Sequence, residues 1–219
     1  MGRLISVAVL LQTFELYWIR PWKWEIIEGE IPLILKPFLK SNLILLTLRL
    51  LAAAGALIYP NPIVIAILLL TSWALAIRWR GTFNGGSDAM TFLILSAWLV
   101  AAIVPRFESV CLLYIAIQLI LSYFVAGIVK IMSPQWRSGQ ALTYFFHQYG
   151  FQVSTMTAFI LSWGVITVEC LFPFAVFAPT AFVGIVIIFH LANVYIFGLN
   201  RFFFAWLAAY PALFLALAH

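Results

Sequence analysis

The chain has 219 residues, 65% of them hydrophobic and only 9% charged. A soluble domain of this size carries about a quarter charged residues, so the composition excludes one and predicts a polytopic membrane protein. The net charge of +5 is then a topology signal rather than a nucleic-acid patch, and no nucleic-acid partner is expected.

Residues 4–19 are apolar but interrupted by Gln12 and Glu15, and fall short of the about 20 residues that cross a bilayer. They read as a first helix of marginal length or an interfacial one. Trp22, Trp24, Glu25, Glu28 and Glu30 mark a membrane boundary, and residues 31–40 read as a Pro-broken surface segment. Residues 1–41 are thus an N-terminal segment ahead of the main bundle, residues 42–219.

Seven stronger apolar segments follow, at residues 42–59, 62–77, 89–104, 108–131, 155–178, 180–199 and 202–218. Short breaks with turn chemistry separate them, among them Pro60-Asn61-Pro62, Gly85-Gly86-Ser87-Asp88, Pro105-Arg106 and Asn200-Arg201. The predicted fold is all-α: one multi-pass helical bundle of seven or eight transmembrane helices, without internal repeats. On an alternating path Arg78, Arg80, Lys130, Arg137 and Arg201 share one side, which the positive-inside rule makes cytoplasmic.

Polar groups inside apolar segments are costly, so each needs a reason. Arg49, in the middle of its segment, reads as a structural ion pair or a snorkelling side chain. Lys130 ends a long apolar helix and shares a face with Gln118, Ser122 and Ala126, each four residues apart. It is either an interface lysine, anchored with Trp136 and Arg137, or a functional one. Glu169 lies too deep to stand unpaired, so it pairs with Lys130, Arg49 or another base, or takes part in proton transfer. His190 and Asn193 stand one turn apart in an otherwise apolar helix and so face the same way. The loop from Arg80 to Asp88 reads as a tight turn capped by Ser87 or Asp88 at the next helix start. Cys111 and Cys170 lie in apolar runs without metal-type spacing and read as small hydrophobes. With three histidines and no Cys/His cluster, no metal site is expected.

Three stretches together resemble a known family. Tyr123-Phe124-Val125-Ala126-Gly127-Ile128-Val129-Lys130-Ile131, followed by Trp136 and Gly139, is similar to a Tyr-Phe-x-Ala-Gly-x-x-Lys-Leu then Trp-x-x-Gly signature. Phe189-His190-Leu191-Ala192-Asn193, followed by Phe197-Gly198-Leu199-Asn200 and a Phe-rich run to Tyr210-Pro211, is similar to a Phe-His-x-x-Asn helix and its continuation. Thr82-Phe83-Asn84 to Ser87 matches an Asn-rich, Ser-containing loop more weakly. These stretches resemble the membrane domain of vitamin K-dependent γ-carboxylases and their bacterial relatives, the HTTM (horizontally transferred transmembrane) family, over roughly residues 40–215.

The resemblance implies a pocket for a lipid quinone or hydroquinone in a bacterial-type plasma or internal membrane. Lys130 and His190 would be its catalytic residues, with Lys130 as the base, and Asn193, Glu169, Asn84 and Trp136 would line it. The departures are as informative. A soluble domain for a glutamate-bearing substrate is not expected after His219, and Gly85 and Gly86 stand where the family's loop histidine would be. The family's enzyme also works at the lumenal face, opposite to the side that the charges assign to Lys130. Carboxylation by this chain alone is therefore not expected. The leading expectation is an HTTM-type membrane protein that assists a redox-coupled or peptide-modifying process with a partner membrane protein. The alternatives are a non-enzymatic small subunit of a larger membrane complex, and a transporter.

Overall fold

The computed structural model describes residues 2–18, 42–78 and 85–218. All regular elements among them are helical, with no strand. In chain order they are α1 (Gly2–Trp18), α2 (Asn42–Ile58), α3 (Pro62–Arg78), α4 (Gly85–Ile103), a 3-10 turn (Pro105–Phe107), α5 (Glu108–Met132), α6 (Pro134–Arg137), α7 (Gln140–Gln148), α8 (Thr155–Leu171), a second 3-10 turn (Phe172–Val176), α9 (Pro179–Phe197) and α10 (Asn200–Leu217). The expected boundary residues Trp22 and Trp24, the segment 31–40 and the loop residues Arg80 to Asn84 lie outside the described residues.

Among the described residues, five stretches are long and apolar enough to cross a membrane: Gly86–Ile103, Pro105–Met132, Thr155–Val176, Pro179–Phe197 and Asn200–Leu217. Leu43–Ile58 and Pro62–Ala76 are apolar but shorter. The helix limits follow local chemistry. Pro134 and Pro179 open α6 and α9, where the missing N–H costs nothing. Ser154 caps α8 by accepting from the Thr157 N–H at 3.0 Å. Gly198, in the left-handed region at φ 65°, closes α9 and turns the chain into α10.

The expected cap at the start of α4 is not what forms. The helix begins at Gly85, so Asp88 lies inside its first turn. There its carboxylate accepts from Arg201 Nη2 at 2.8 Å. A strong charged partner on another helix outcompetes a local backbone N–H.

Helix α10 is the hub. Ala205, Ala208, Ala209 and Ala212 are all buried, and these small side chains let α1, α4, α5 and α9 pack around one helix. Helix α5 joins α10 to α8 and contributes Ile115, Leu119 and Tyr123 to the same core. Helix α1 lies against α2 and α10, with Ile5, Ala8 and Val9 in that core. Helix α9 leans on α10 and the second 3-10 turn, and most of its apolar surface faces outward.

Arg49 departs from both sequence readings. It is 2% exposed, so it does not snorkel. Its three bonds go to neutral oxygens: Ser72 Oγ at 3.1 Å, Thr13 Oγ1 at 3.2 Å and Gln12 Oε1 at 3.1 Å. A planar fork of donors can be satisfied by three uncharged acceptors on two neighbouring helices, α1 and α3.

Candidate functional site

The site is built where α5 and α8 cross. Gly127 sits at the crossing, and a Cβ there would lie 2.7 Å from the backbone nitrogen of Cys170. Only glycine permits that approach. One turn further along α5, Lys130 then reaches Glu169, the residue before Cys170. Lys130 Nζ donates to both Glu169 oxygens, at 2.9 and 2.7 Å. The side chains are 18% and 7% exposed, so the pair is largely withdrawn from solvent. A buried carboxylate and a buried ammonium each cost several kcal/mol alone, and pairing offsets that cost.

The chain leaving α5 folds back over this pair. Ser162 Oγ donates to the Trp136 carbonyl at 2.5 Å and Trp163 Nε1 to the Arg137 carbonyl at 3.1 Å, pinning α6 to α8. The Trp136 ring lies 5.1 Å from Lys130 Nζ, a cation–π contact. Gly139, at φ 80°, turns the chain into α7. Leu142 and Phe146 of α7 bury against Ala158, and Phe145 and Tyr149 face the interior of the site. The sequence shows only a turn-like exit here because the nine residues of α7 are too few for a clear periodic signal.

Helix α9 adds Phe189, His190, Asn193 and Phe197 to the same lining. His190 is buried, and its Nε2 lies 2.5 Å from the Tyr123 hydroxyl, which in turn lies 2.7 Å from the Tyr210 hydroxyl. Three helices, α5, α9 and α10, are thereby joined by one polar chain. His190 Nδ1 is buried and has no hydrogen-bond partner among the described residues. If Tyr123 donates to Nε2, Nδ1 carries the proton and is a spare donor. In the reverse polarity it is a spare acceptor. Phe202 and Trp206 stack at 4.0 Å and complete the wall on α10.

These groups enclose one cavity of about 400 Å³, lined among others by Lys130, Trp136, Glu169, His190 and Asn193. Five of the six residues singled out in the sequence thus meet in one place. Asn84 lies outside the described residues. No family model matches this chain, and neither a curated protein nor a solved structure is significantly similar to it.

The sequence reading assigned no role to Tyr123, Tyr210, Phe145 or Tyr149. Tyr123 carried a usable signal. It lies four and seven residues before Gly127 and Lys130, hence on the same helical face, and a tyrosine hydroxyl inside an apolar segment requires a partner. Tyr210 lies 87 residues away from Tyr123 in sequence, and only the fold brings the two together.

Chemically, the cavity offers an ammonium, a carboxylate and an amide among aromatic faces. Its volume falls in the range of small-molecule sites. Such a lining suits a flat, largely apolar molecule with polar atoms at its edge.

Proposed function

We propose that this chain is an HTTM-type multi-pass membrane protein, with α2 and α3 as further spans beside the five long ones, that binds a lipid quinone or hydroquinone beside Lys130, Glu169 and His190. In this reading it presents that lipid to a partner membrane protein in a redox-coupled or peptide-modifying process. The observation that carries the proposal is the single cavity of about 400 Å³ that Lys130, Glu169, His190, Asn193 and Trp136 line together.

A quinone fits on two counts. Its ring oxygens match the Lys130 ammonium and the Asn193 amide, and its ring matches the aromatic walls. The bound group would supply the two-electron chemistry. The protein's part is to hold the ring, exclude water and manage protons. Both Glu169 oxygens accept from Lys130 Nζ, so the lysine is already committed to an ion pair. Lys130 therefore acts as a hydrogen-bond donor to a ring oxygen, and the Glu169 carboxylate is the group placed to hold a proton. This differs from the role that the family resemblance gives the lysine, and it follows from the ion pair.

The test is purification in mild detergent followed by mass spectrometry of everything bound, lipid and protein alike. The proposal expects a stoichiometric quinone that is lost in His190→Ala and in the charge-balanced double variant Lys130→Met/Glu169→Leu. A stoichiometric protein partner with no quinone would replace it with the structural-subunit reading.

A further inference from the structure

The cavity at Lys130 has a second hollow beside it, past Glu169. Val165, Glu169 and Phe189 also form one wall of this hollow, of about 300 Å³, in the gap between α8 and α9. The rest of its lining is Ile160, Leu161, Gly164 and Val168, so Glu169 is the one polar residue that borders it. The gap exists because the 3-10 turn Phe172–Val176 separates the two helices and α9 leans on α10 instead. Ile160 and Leu161 are exposed along it. Both oxygens of Glu169 are engaged by Lys130 at the junction, so what continues outward is hydrocarbon surface.

We infer that the α8–α9 gap holds the hydrocarbon chain of the same lipid whose ring occupies the Lys130 cavity, which therefore opens sideways into the membrane. This rests on the reading above and specifies the ligand class: an amphiphile with one flat polar head and one slender chain. An unfilled apolar gap forfeits dispersion contacts, so some hydrocarbon fills it. A chain tethered to a ring in the Lys130 cavity is delivered to this gap by the same binding event. A further hollow, of about 620 Å³ between α4, α5 and α10, also borders the cavity, through Ser122, Ala126, Phe202 and Trp206. It is the poorer route, because the Gln118 side chain lines it and a hydrocarbon chain there would cover that amide.

The test uses the whole protein in phosphatidylcholine nanodiscs and a decyl benzoquinone with a diazirine on the terminal chain carbon, irradiated and mapped by peptide mass spectrometry. Adducts are expected on the peptide holding Ile160, Leu161 and Gly164, saturable and competed by ethyl benzoquinone. Gly164→Trp should cut them at least severalfold while ethyl benzoquinone still binds. A Cβ at Gly164 meets nothing within 4 Å, so the variant should fold, and its unfolding midpoint serves as the check. Saturable adducts beside Ala89 or Leu121 would overturn the inference and leave the ring site standing. So would adducts at Ile160 to Gly164 that persist in Lys130→Met/Glu169→Leu after ring binding is lost, since a free lipid chain would then occupy the gap. If neither quinone binds saturably, the inference and the quinone reading both fall.

Discussion

Gly127→Ala is the smallest perturbation that reaches the site. One methyl group at this position would stand 2.7 Å from the Cys170 nitrogen and sulfur and 3.1 Å from the Glu169 carbonyl carbon. Two of those three neighbours are backbone atoms of α8, and no rotamer change can move them. To reach ordinary contact at 3.4 Å the α5 and α8 backbones must separate, and α8 carries Glu169 with it. Overpacking of a close helix crossing costs about 1–3 kcal/mol. The Lys130–Glu169 bonds, now 2.7 and 2.9 Å, lie one turn from the displaced point and should lengthen. The assay is thermal unfolding in one detergent, with Gly164→Ala on the same helix pair as control. At Gly164 the added methyl meets open space, and alanine is the better helix former, so the control should be neutral or slightly stabilising. Equal midpoints for Gly127→Ala and Gly164→Ala would refute the claim that the crossing is set by the missing side chain.

Three further outcomes are expected. Lys130→Met alone leaves a buried carboxylate without its partner and should cost about 3–5 kcal/mol, whereas adding Glu169→Leu should recover much of it; a double-mutant cycle of unfolding free energies reads this, and simple additivity would contradict the pairing. Arg49→Leu should cost about 1–3 kcal/mol for each acceptor left unsatisfied among Gln12, Thr13 and Ser72; chemical denaturation measures it, and a neutral result would mean that water replaces the guanidinium. Tyr210→Phe should cost about 1 kcal/mol and leave the Tyr123–His190 contact in place, while Tyr123→Phe should cost more because it breaks both links; comparison of the two unfolding midpoints settles the order.

Helices were legible in the sequence wherever an apolar run was long. The predicted segment 108–131 became α5, Glu108–Met132, almost residue for residue. The predicted segment 155–178 corresponds to one apolar stretch, Thr155–Val176, whose last five residues tighten into a 3-10 turn because Pro173 ends the regular helix. The candidate site was legible for a different reason. A lysine, a glutamate and a histidine within apolar helices each need a partner, and that need alone marked Lys130, Glu169 and His190 before any geometry was known. What the sequence withheld was who partners whom. Glu169 could have served Arg49 as well as Lys130, and the choice depends on which helices cross at Gly127. Arg49 was misread because ionic partners were the only ones considered. Its acceptors, Gln12, Thr13 and Ser72, are uncharged and lie 37, 36 and 23 residues away.

The molecule therefore holds two buried polar centres around α10, and their physical states differ in a way that separates scaffold from site. Around Arg49 the fork meets three acceptors, Gln12 Nε2 reaches Thr91 Oγ1 and the Arg201 carbonyl at 3.4 Å, and Arg201 Nη2 meets Asp88. The void left there is about 10 Å³, near the lower limit for a single water molecule. A centre that fills its own volume and uses its own bonds ties helices together. Around Lys130 the ion pair is equally well made, yet about 400 Å³ beside it is unfilled and a buried ring nitrogen has no partner among the described residues. Packing alone does not favour that combination, because unfilled volume and an unsatisfied polar atom both cost stability. A ligand that fills the cavity removes the cost of the unfilled volume, so the Lys130 centre, rather than the Arg49 centre, is where binding is to be sought.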